Sequence, residues 1–484
     1  MQENLKRLNA EEAFARCKQL WTTSIAEDII KQFFEEEYAS FDKSVIVLDD
    51  DPTGVQTVHD IDVVTSWDVD TISEMLSEEK KLFFVLANSR SFSAERTKAV
   101  YREIAKNAVQ AAKAAGKEIM LISRGDSTLR GHFPLETQTL REIMEEDKDL
   151  RFDGEILCPF FREGGRFTID GVHYVREGDE LVPAAQTEFA KDKTFGYNHS
   201  RLPEYIEEKS GGLVHAEQVL TVTLSQLRSL KLSAIEEKLA AAEGFRYIVV
   251  DAIDEVDVQA MAVVLMRLMK RGKRYLFRSA AAVPKVFGAV EDRPLLSRSE
   301  MESGPREHGG LVIVGSHVKK TTAQLECLRE SETPLEFIEF NVGSWDIPGG
   351  LESETRRVAA LAENAICSGK TAVVYTTRTL VAPQNASAEE MLAISVRISD
   401  AVTNIVSSLN VRPRFLIAKG GITSSDIGTK ALRVKRARVL GQAQPGVPVW
   451  QTGEESLFPG LSYIIFPGNV GSTDTLRTIV ELLA

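Results

Sequence analysis

Cysteine is scarce in this chain of 484 residues, with Cys17, Cys158, Cys327 and Cys367 far apart and no C-x-x-C pair. That spacing argues against a disulfide framework and a structural zinc site, so reduced thiols are the expectation. Histidine is also rare, and its seven copies are scattered, so no single one stands out as a catalytic base. No apolar run is long enough to span a bilayer, and the opening residues include Glu3, Lys6 and Arg7. A cytoplasmic location is expected from these features. Positive charge is in deficit as well: 58 Lys and Arg face 71 Asp and Glu, a formal net charge of −13. That field repels nucleic acid and anionic membranes, and an anionic substrate would need a local basic pocket. The G-x-G-x-x-G pattern is absent, which disfavours a dinucleotide dehydrogenase. Ser368-Gly369-Lys370-Thr371 has the ending of a P-loop, but Asn364 stands where the first glycine is required. The segment also closes a predicted helix and opens a predicted strand, the reverse of P-loop order.

What the chain does contain is ordinary globular material, 43% apolar and 27% charged, in a length that suits two or three domains. Residues 1–42 read as a helical N-terminal extension. Short β-branched runs then alternate with helical stretches. Strands are predicted at 45–48, 82–86, 118–122, 155–158, 247–251 and 274–277, with a long amphipathic helix over 94–115. The polar, Pro-, Ser- and Gly-containing stretch around 284–310 reads as a linker, assigned to 291–310. A second series of strands follows at 311–314, 371–375, 414–418 and 462–466. Residues 160–215 lack apolar periodicity and read as an irregular insertion or lid. Alternating strands and helices imply parallel sheets with functional residues at the strands' C-terminal ends.

Three such ends carry polar groups in the first half. The run at 45–48 leads into Asp49-Asp50-Asp51-Pro52-Thr53-Gly54, where adjacent carboxylates repel unless compensated. An Asp-Pro turn in solvent is the simplest account; a carboxylate that accepts a substrate hydroxyl or its proton is the functional one. The run at 82–86 leads to Asn88-Ser89-Arg90-Ser91, and that at 118–122 to Arg124-Gly125-Asp126-Ser127-Thr128-Leu129-Arg130. A cleft edged by Asp50, Asp51, Arg90, Asp126, Ser127 and Thr128 could clamp a carboxylate with arginine and hold hydroxyls with its acids. That is the chemistry of a small polyhydroxy acid. Asp170-Gly171 reads as a hairpin turn, and His132 and His173 as structural histidines. In the second half, RFLIAKGGITSSDIGTKAL at 414–432 reads as a strand breaking at Gly420-Gly421 into a helix. Its first amides and dipole suit a phosphate, although an ordinary strand-to-helix turn uses the same residues.

Six motifs in order, DDPTG at 50–54, NSRS at 88–91, DSTLRG at 126–131, GRFTIDG at 165–171, GGITSSD at 420–426 and PGNVGSTDTL at 467–476, resemble the four-carbon acid sugar kinases. These are the threonate, erythronate and 3-oxo-tetronate kinases, and the similarity runs from about residue 44 to 484. The resemblance implies an α/β fold class: two α/β domains with largely parallel sheets and an interdomain cleft. Residues 43–290 would bind the sugar acid and 311–484 the nucleotide. The activity implied is ATP-dependent phosphorylation of the terminal hydroxyl of a tetronate or 3-oxo-tetronate, with ATP and Mg²⁺ as cofactors. A homodimer is compatible with it. Carried over to this chain, Asp50, Asp51 and Asp126 are the catalytic candidates, and Asp51, Arg90, Asp126, Ser127 and Thr128 the substrate-binding ones. Ser316, Gly420, Gly421, Thr423, Ser424, Gly468, Asn469 and Gly471 would hold ATP. The chain departs from the pattern at Ile422, where the family often has glutamate, and at SRGDS, where a lysine-containing loop is common. Two other readings stay open: a non-catalytic sugar-acid sensor on the same fold, and a sugar-acid enzyme of NAD-linked or aldolase type that needs no ATP.

Overall fold

The computed structural model describes residues 5–78, 80–147, 150–378, 388–468 and 470–484. The chain divides into two compact units, Met1–Asp50 with Trp67–Glu291, and Asp51–Ser66 with Asp292–Ala484.

The first unit is built on seven parallel strands in the order Leu220–Val222, Arg246–Val250, Gly154–Cys158, Tyr275–Ser279, Ile119–Arg124, Ser44–Asp49 and Leu82–Leu86. Near-continuous aliphatic runs such as Val45-Ile46-Val47-Leu48 are buried throughout, as a sheet covered by helices on both faces requires. The helix Ala94–Ala115 occupies the span read from its periodicity. Ser93 caps its first turn, Gly116 (φ 60°) ends it, and Tyr101, Ile104, Ala105, Ala108, Ala111 and Ala112 form its buried stripe. The N-terminal residues are an integral part of this unit rather than an extension. Glu37, on the helix Ala26–Tyr38, pairs with Arg267 and Lys270 of the helix Glu255–Lys270, and Arg228 donates to the Cys17 carbonyl.

The region 160–215 is more ordered than its composition implies. Arg166–Ile169, Val172–Glu177, Glu180–Pro183 and the N-terminal Leu8–Asn9 form a four-stranded antiparallel sheet. Asp170 (φ 51°) and Gly171 (φ 75°) make the expected two-residue turn, because both positions need positive φ.

The second unit orders its strands Ile61–Val64, Arg436–Gln444, Val447–Thr452, Ser462–Phe466, Leu416–Lys419, Leu311–Val314, Thr371–Thr376 and Leu335–Phe340. The first four pair antiparallel and the rest parallel. Two boundaries differ from the sequence reading. Residues 51–66 fold with this unit because Ile61–Val64 pairs with residues 436–439 and Asp62 binds Arg436 at 2.9 Å. Residues 292–310 are no free linker either: the Leu296 amide donates to the Gln442 carbonyl, and Met301 is wholly buried. No helix among the described residues is long and apolar enough to cross a membrane.

Candidate functional site

In the first unit the parallel register brings three strand ends together. The amides of Ala87 and Asn88 donate to the Asp49 carbonyl, that of Asp50 to Arg124, and that of Arg90 to Asp50. Asp50 is completely buried, and its two oxygens accept from Arg90 Nε at 3.1 Å and Nη2 at 2.6 Å. Burial raises the Asp50 pKa, and the Arg90 and Arg278 charges work against that rise. Arg124 Nη1 lies 3.3 Å from Asp49 and 3.8 Å from Asp50. Asp50 therefore fixes Arg90, which keeps 22% of its side chain exposed.

Beneath this layer Arg278 fills the space left by two glycines: a Cβ at Gly125 or Gly131 would lie 2.2 or 2.6 Å from its Nη2. Arg278 pairs with the buried Glu136, which also accepts from Ser89 Oγ at 2.7 Å. Asp126 accepts from Arg130 Nε at 2.8 Å and from the Thr128 hydroxyl. Burial alone would raise its pKa, but the Arg90 and Arg130 charges hold it well below the usual carboxylate range. The 127–129 carbonyls are pinned by His173 Nε2 on Ser127, Tyr197 on Thr128 and Tyr205 on Leu129, each at 2.8 Å. His173 thus donates from Nε2 and accepts at Nδ1 from Thr168, and burial pushes its pKa down to about 4. His132 binds the Phe92 carbonyl. Both histidines thus engage backbone carbonyls.

Arg166, on the hairpin, belongs to the GRFTIDG stretch, which carries no site residue by sequence alone. Its guanidinium lies 5.4 Å from the Phe189 ring centroid, and Arg130 lies 5.2 Å from the same ring. Among the described residues its buried Nε has no hydrogen-bond partner. Arg278 and Glu136 were missed altogether. A lone arginine ending an apolar strand run was the available signal for Arg278; Glu136 sits in a helix with none.

In the second unit three neighbouring parallel strands end in Gly315-Ser316, Gly420-Gly421 and Pro467-Gly468, and these turns converge. A Cβ at Gly315 would stand 2.2 Å from Thr423 Oγ1, and one at Gly468 2.9 Å from Ser316 Oγ. Gly420, at φ 129°, would meet both Thr423 Oγ1 (3.1 Å) and Ser316 Cβ (3.2 Å). Glycine is required here by packing at all three turns and by backbone conformation at Gly420. The amides of Gly315 and Ser316 donate to the Lys419 carbonyl, and that of Gly420 to Phe466. Thr321 Oγ1 holds the Gly468 carbonyl at 2.9 Å, and Gln324 holds those of Val470 and Ser472. Arg378 donates to the Ser316 carbonyl at 2.8 Å. Gly471 (φ 82°) turns the chain against Thr475, while Asn469 lies outside the described residues.

Asp51 belongs to this unit. Its Oδ1 accepts from the Thr53 amide and hydroxyl at 2.8 and 2.6 Å, and its Oδ2 lies 3.6 Å from where a Gly421 Cβ would stand. Ser424 departs from its expected role. Its hydroxyl is spent on the Ala418 carbonyl and its amide on that of Gly420, both at 2.8 Å, so it braces the turn from inside. The helix that follows is also short, Gly421–Asp426, before the chain widens into a π turn at Ile427–Ala431. What remains is a group of glycine turns packed on the Ser316 and Thr423 side chains at the C-terminal edge of parallel strands, a setting that suits phosphate. Among the described residues no three His, Cys, Asp or Glu side chains converge as a metal site.

Comparison with known proteins agrees with this division of chemistry. Residues 45–286 match a family model described as a sugar-binding N-terminal domain, and residues 311–476 one described as a nucleotide-binding C-terminal domain. A solved Haemophilus influenzae protein of the DUF1537 family is 18% identical, with a TM-score of 0.59 over 91% of this chain and 100% of that one. A Salmonella typhimurium LT2 protein, whose name proposes a tRNA synthase, is 19% identical, with a TM-score of 0.61 over 90% of this chain and 98% of that one. At such identities the likeness speaks for the fold alone. No curated protein matches the chain. By its paired domain matches over most of its length, the chain belongs to the family that joins a sugar-binding N-terminal domain to a nucleotide-binding C-terminal domain, the architecture of the four-carbon acid sugar kinases.

Proposed function

We propose that the protein is an ATP-dependent kinase acting on the terminal hydroxyl of a four-carbon sugar acid, a tetronate or 3-oxo-tetronate. The observation that carries this reading is the cradle at Gly315, Gly420 and Gly468, where added Cβ atoms would collide with Thr423 and Ser316. The amides that open the helix Gly421–Asp426, with the Ser316 and Thr423 hydroxyls, hold the β- and γ-phosphates. In the sugar-binding domain Arg90 and Arg166 face the acid's carboxylate, and Asp126 accepts a hydrogen bond from the attacking hydroxyl. The depressed Asp126 pKa makes it an orienting acceptor rather than a strong base. Phosphoryl transfer tolerates that, since it depends mainly on positioning and charge neutralisation. Asp50, sealed behind Arg90, positions that arginine. Magnesium is usually held by one or two carboxylates together with phosphate oxygens and water. Asp51, lying against the cradle, fits that need, and the ion would neutralise phosphate charge when bound.

The test is ADP release from ATP over a panel of tetronic and oxo-tetronic acids, with and without Mg²⁺. ADP should form only when acid and metal are both present. Asp51→Asn should lower kcat by about 10²–10³-fold, the loss typical of a missing transition-state stabiliser. Arg166→Met should raise KM for the acid and leave KM for ATP unchanged. Thermal stabilisation by an acid without ADP formation would instead establish a sensor.

A further inference from the structure

Lys419 ends the strand Leu416–Lys419, and its side chain is wholly buried. Its Nζ donates to the Pro467 carbonyl at 2.5 Å and lies 3.6 Å from the Phe466 ring centroid. Its own carbonyl accepts from the amides of Gly315 and Ser316 at 3.2 and 3.3 Å, and the next residue is Gly420. One residue therefore touches all three turns of the cradle. Among the described residues it has no carboxylate partner, and a buried ammonium without a counter-charge is costly to a fold. Its placement makes sense if an anion completes it.

We propose that Lys419 is the positioning residue of the phosphate cradle, its carbonyl holding the Gly315-Ser316 turn, its amine the Pro467 carbonyl, and its ammonium being completed by the phosphate charge of a bound nucleotide. The inference rests on the nucleotide reading of this domain and adds a residue to it. Burial, reinforced by the like charge of Lys320 on the helix Lys319–Arg329, pushes the Lys419 pKa down to about 7. The Phe466 ring and the Pro467 carbonyl face the amine itself. In the free protein near neutrality it is only partly protonated, and bound phosphate favours the charged form. Nucleotide binding should therefore take up a proton and weaken as pH rises above about 7.

The experiment is titration calorimetry of the full-length protein with ADP between pH 6.5 and 9, in two buffers of different ionisation enthalpy. The wild type should show proton uptake and lose up to about tenfold in affinity per pH unit above the midpoint. Lys419→Met should bind at least tenfold more weakly at pH 6.5, with the excess pH dependence gone, while Lys419→Arg should keep affinity and lose the pH dependence. Should the buried variants not fold, the exposed Lys320→Ala carries the test: removing the like charge should move the wild-type midpoint upward. A Lys419→Met profile that tracks the wild type, or an unmoved midpoint in Lys320→Ala, overturns the proposal. ADP binding with no proton uptake also overturns it and leaves the nucleotide reading standing. Absence of ADP binding at every pH overturns both.

Discussion

Gly315→Ala puts a single methyl where the cradle is tightest. The new Cβ would lie 2.2 Å from Thr423 Oγ1 and 3.2 Å from its Cγ2, so the threonine or its turn must move. The backbone at Gly315 needs no positive φ, so the effect is one of space, not of conformation. Overpacking of this kind costs about 1–3 kcal/mol. For a domain of this size that is about 2–4 °C in Tm per kcal/mol. Displacing Thr423 also disturbs the neighbouring turn, where a Cβ at Gly420 would stand 3.1 Å from the same Oγ1, so ADP affinity should fall along with stability. Thr423→Ala removes the clashing Oγ1 and leaves its Cβ at 3.3 Å, a contact relieved by a small shift. In a double-mutant cycle, then, Gly315→Ala should cost much less in the Thr423→Ala background, with a coupling of about 1 kcal/mol or more. Thermal melts and ADP titrations of the four proteins measure both quantities. Equal cost of Gly315→Ala in the two backgrounds would refute the packing argument. Full ADP affinity in the single mutant would refute the assignment of the cradle to phosphate.

Two further predictions concern the first unit. His173 has a folded pKa of about 4, below its unfolded value of about 6.5, so its contribution is complete above pH 6.5 and lost as pH falls toward 4. That loss totals roughly 3 kcal/mol, and His173→Gln should flatten the acid limb of stability; equal losses in urea midpoint between pH 7.5 and 4.5 for both proteins would count against it. Arg228 donates to both oxygens of the buried Asp257 at 2.7 and 2.8 Å and to the Cys17 carbonyl at 2.9 Å. Arg228→Met leaves that carboxylate uncompensated and should cost about 3–5 kcal/mol, while Arg228→Met with Asp257→Asn should recover much of it in denaturant melts.

The parallel cores were legible because fully buried strands are near-continuous aliphatic runs. The strands at 82–86, 311–314 and 462–466 stand where those runs lie. Edges and bulges were not. The antiparallel pair Arg436–Gln444 and Val447–Thr452 has register shifts and a turn at Gly446, and its mixed composition reads as loop. Among candidate residues, Asp50, Arg90, Asp126 and Gly420 follow strand runs and draw attention by position, whereas Ser316 comes from the family resemblance alone. Glu136, Thr321 and Gln324 lie within helices and reach the site only through tertiary packing, so no local pattern announces them. Lys419 was hidden because a lysine at a strand end reads as solvent-exposed, whereas its amine turns under the loop toward Pro467.

Ile422 and the aspartate pair show how such hidden placement bears on chemistry. Ile422 is 67% exposed, so no packing demand explains why isoleucine replaces the glutamate common in related loops. A carboxylate is nonetheless present at that turn. Asp51 lies against Gly421, one residue away, although it is remote in sequence and adjacent to an aspartate that folds with the other unit. It arrives there because residues 51–66 leave the first sheet, pair Ile61–Val64 with residues 436–439, and are fixed by Asp62 on Arg436 and Asp60 on Arg438. Asp50 stays behind, sealed beneath Arg90. Two consecutive, chemically identical residues thus acquire different surroundings, one bracing an arginine in the sugar-binding domain and one lying at the Gly420-Gly421 turn of the nucleotide-binding domain. What separates them is a β-ladder formed more than 370 residues further along the chain.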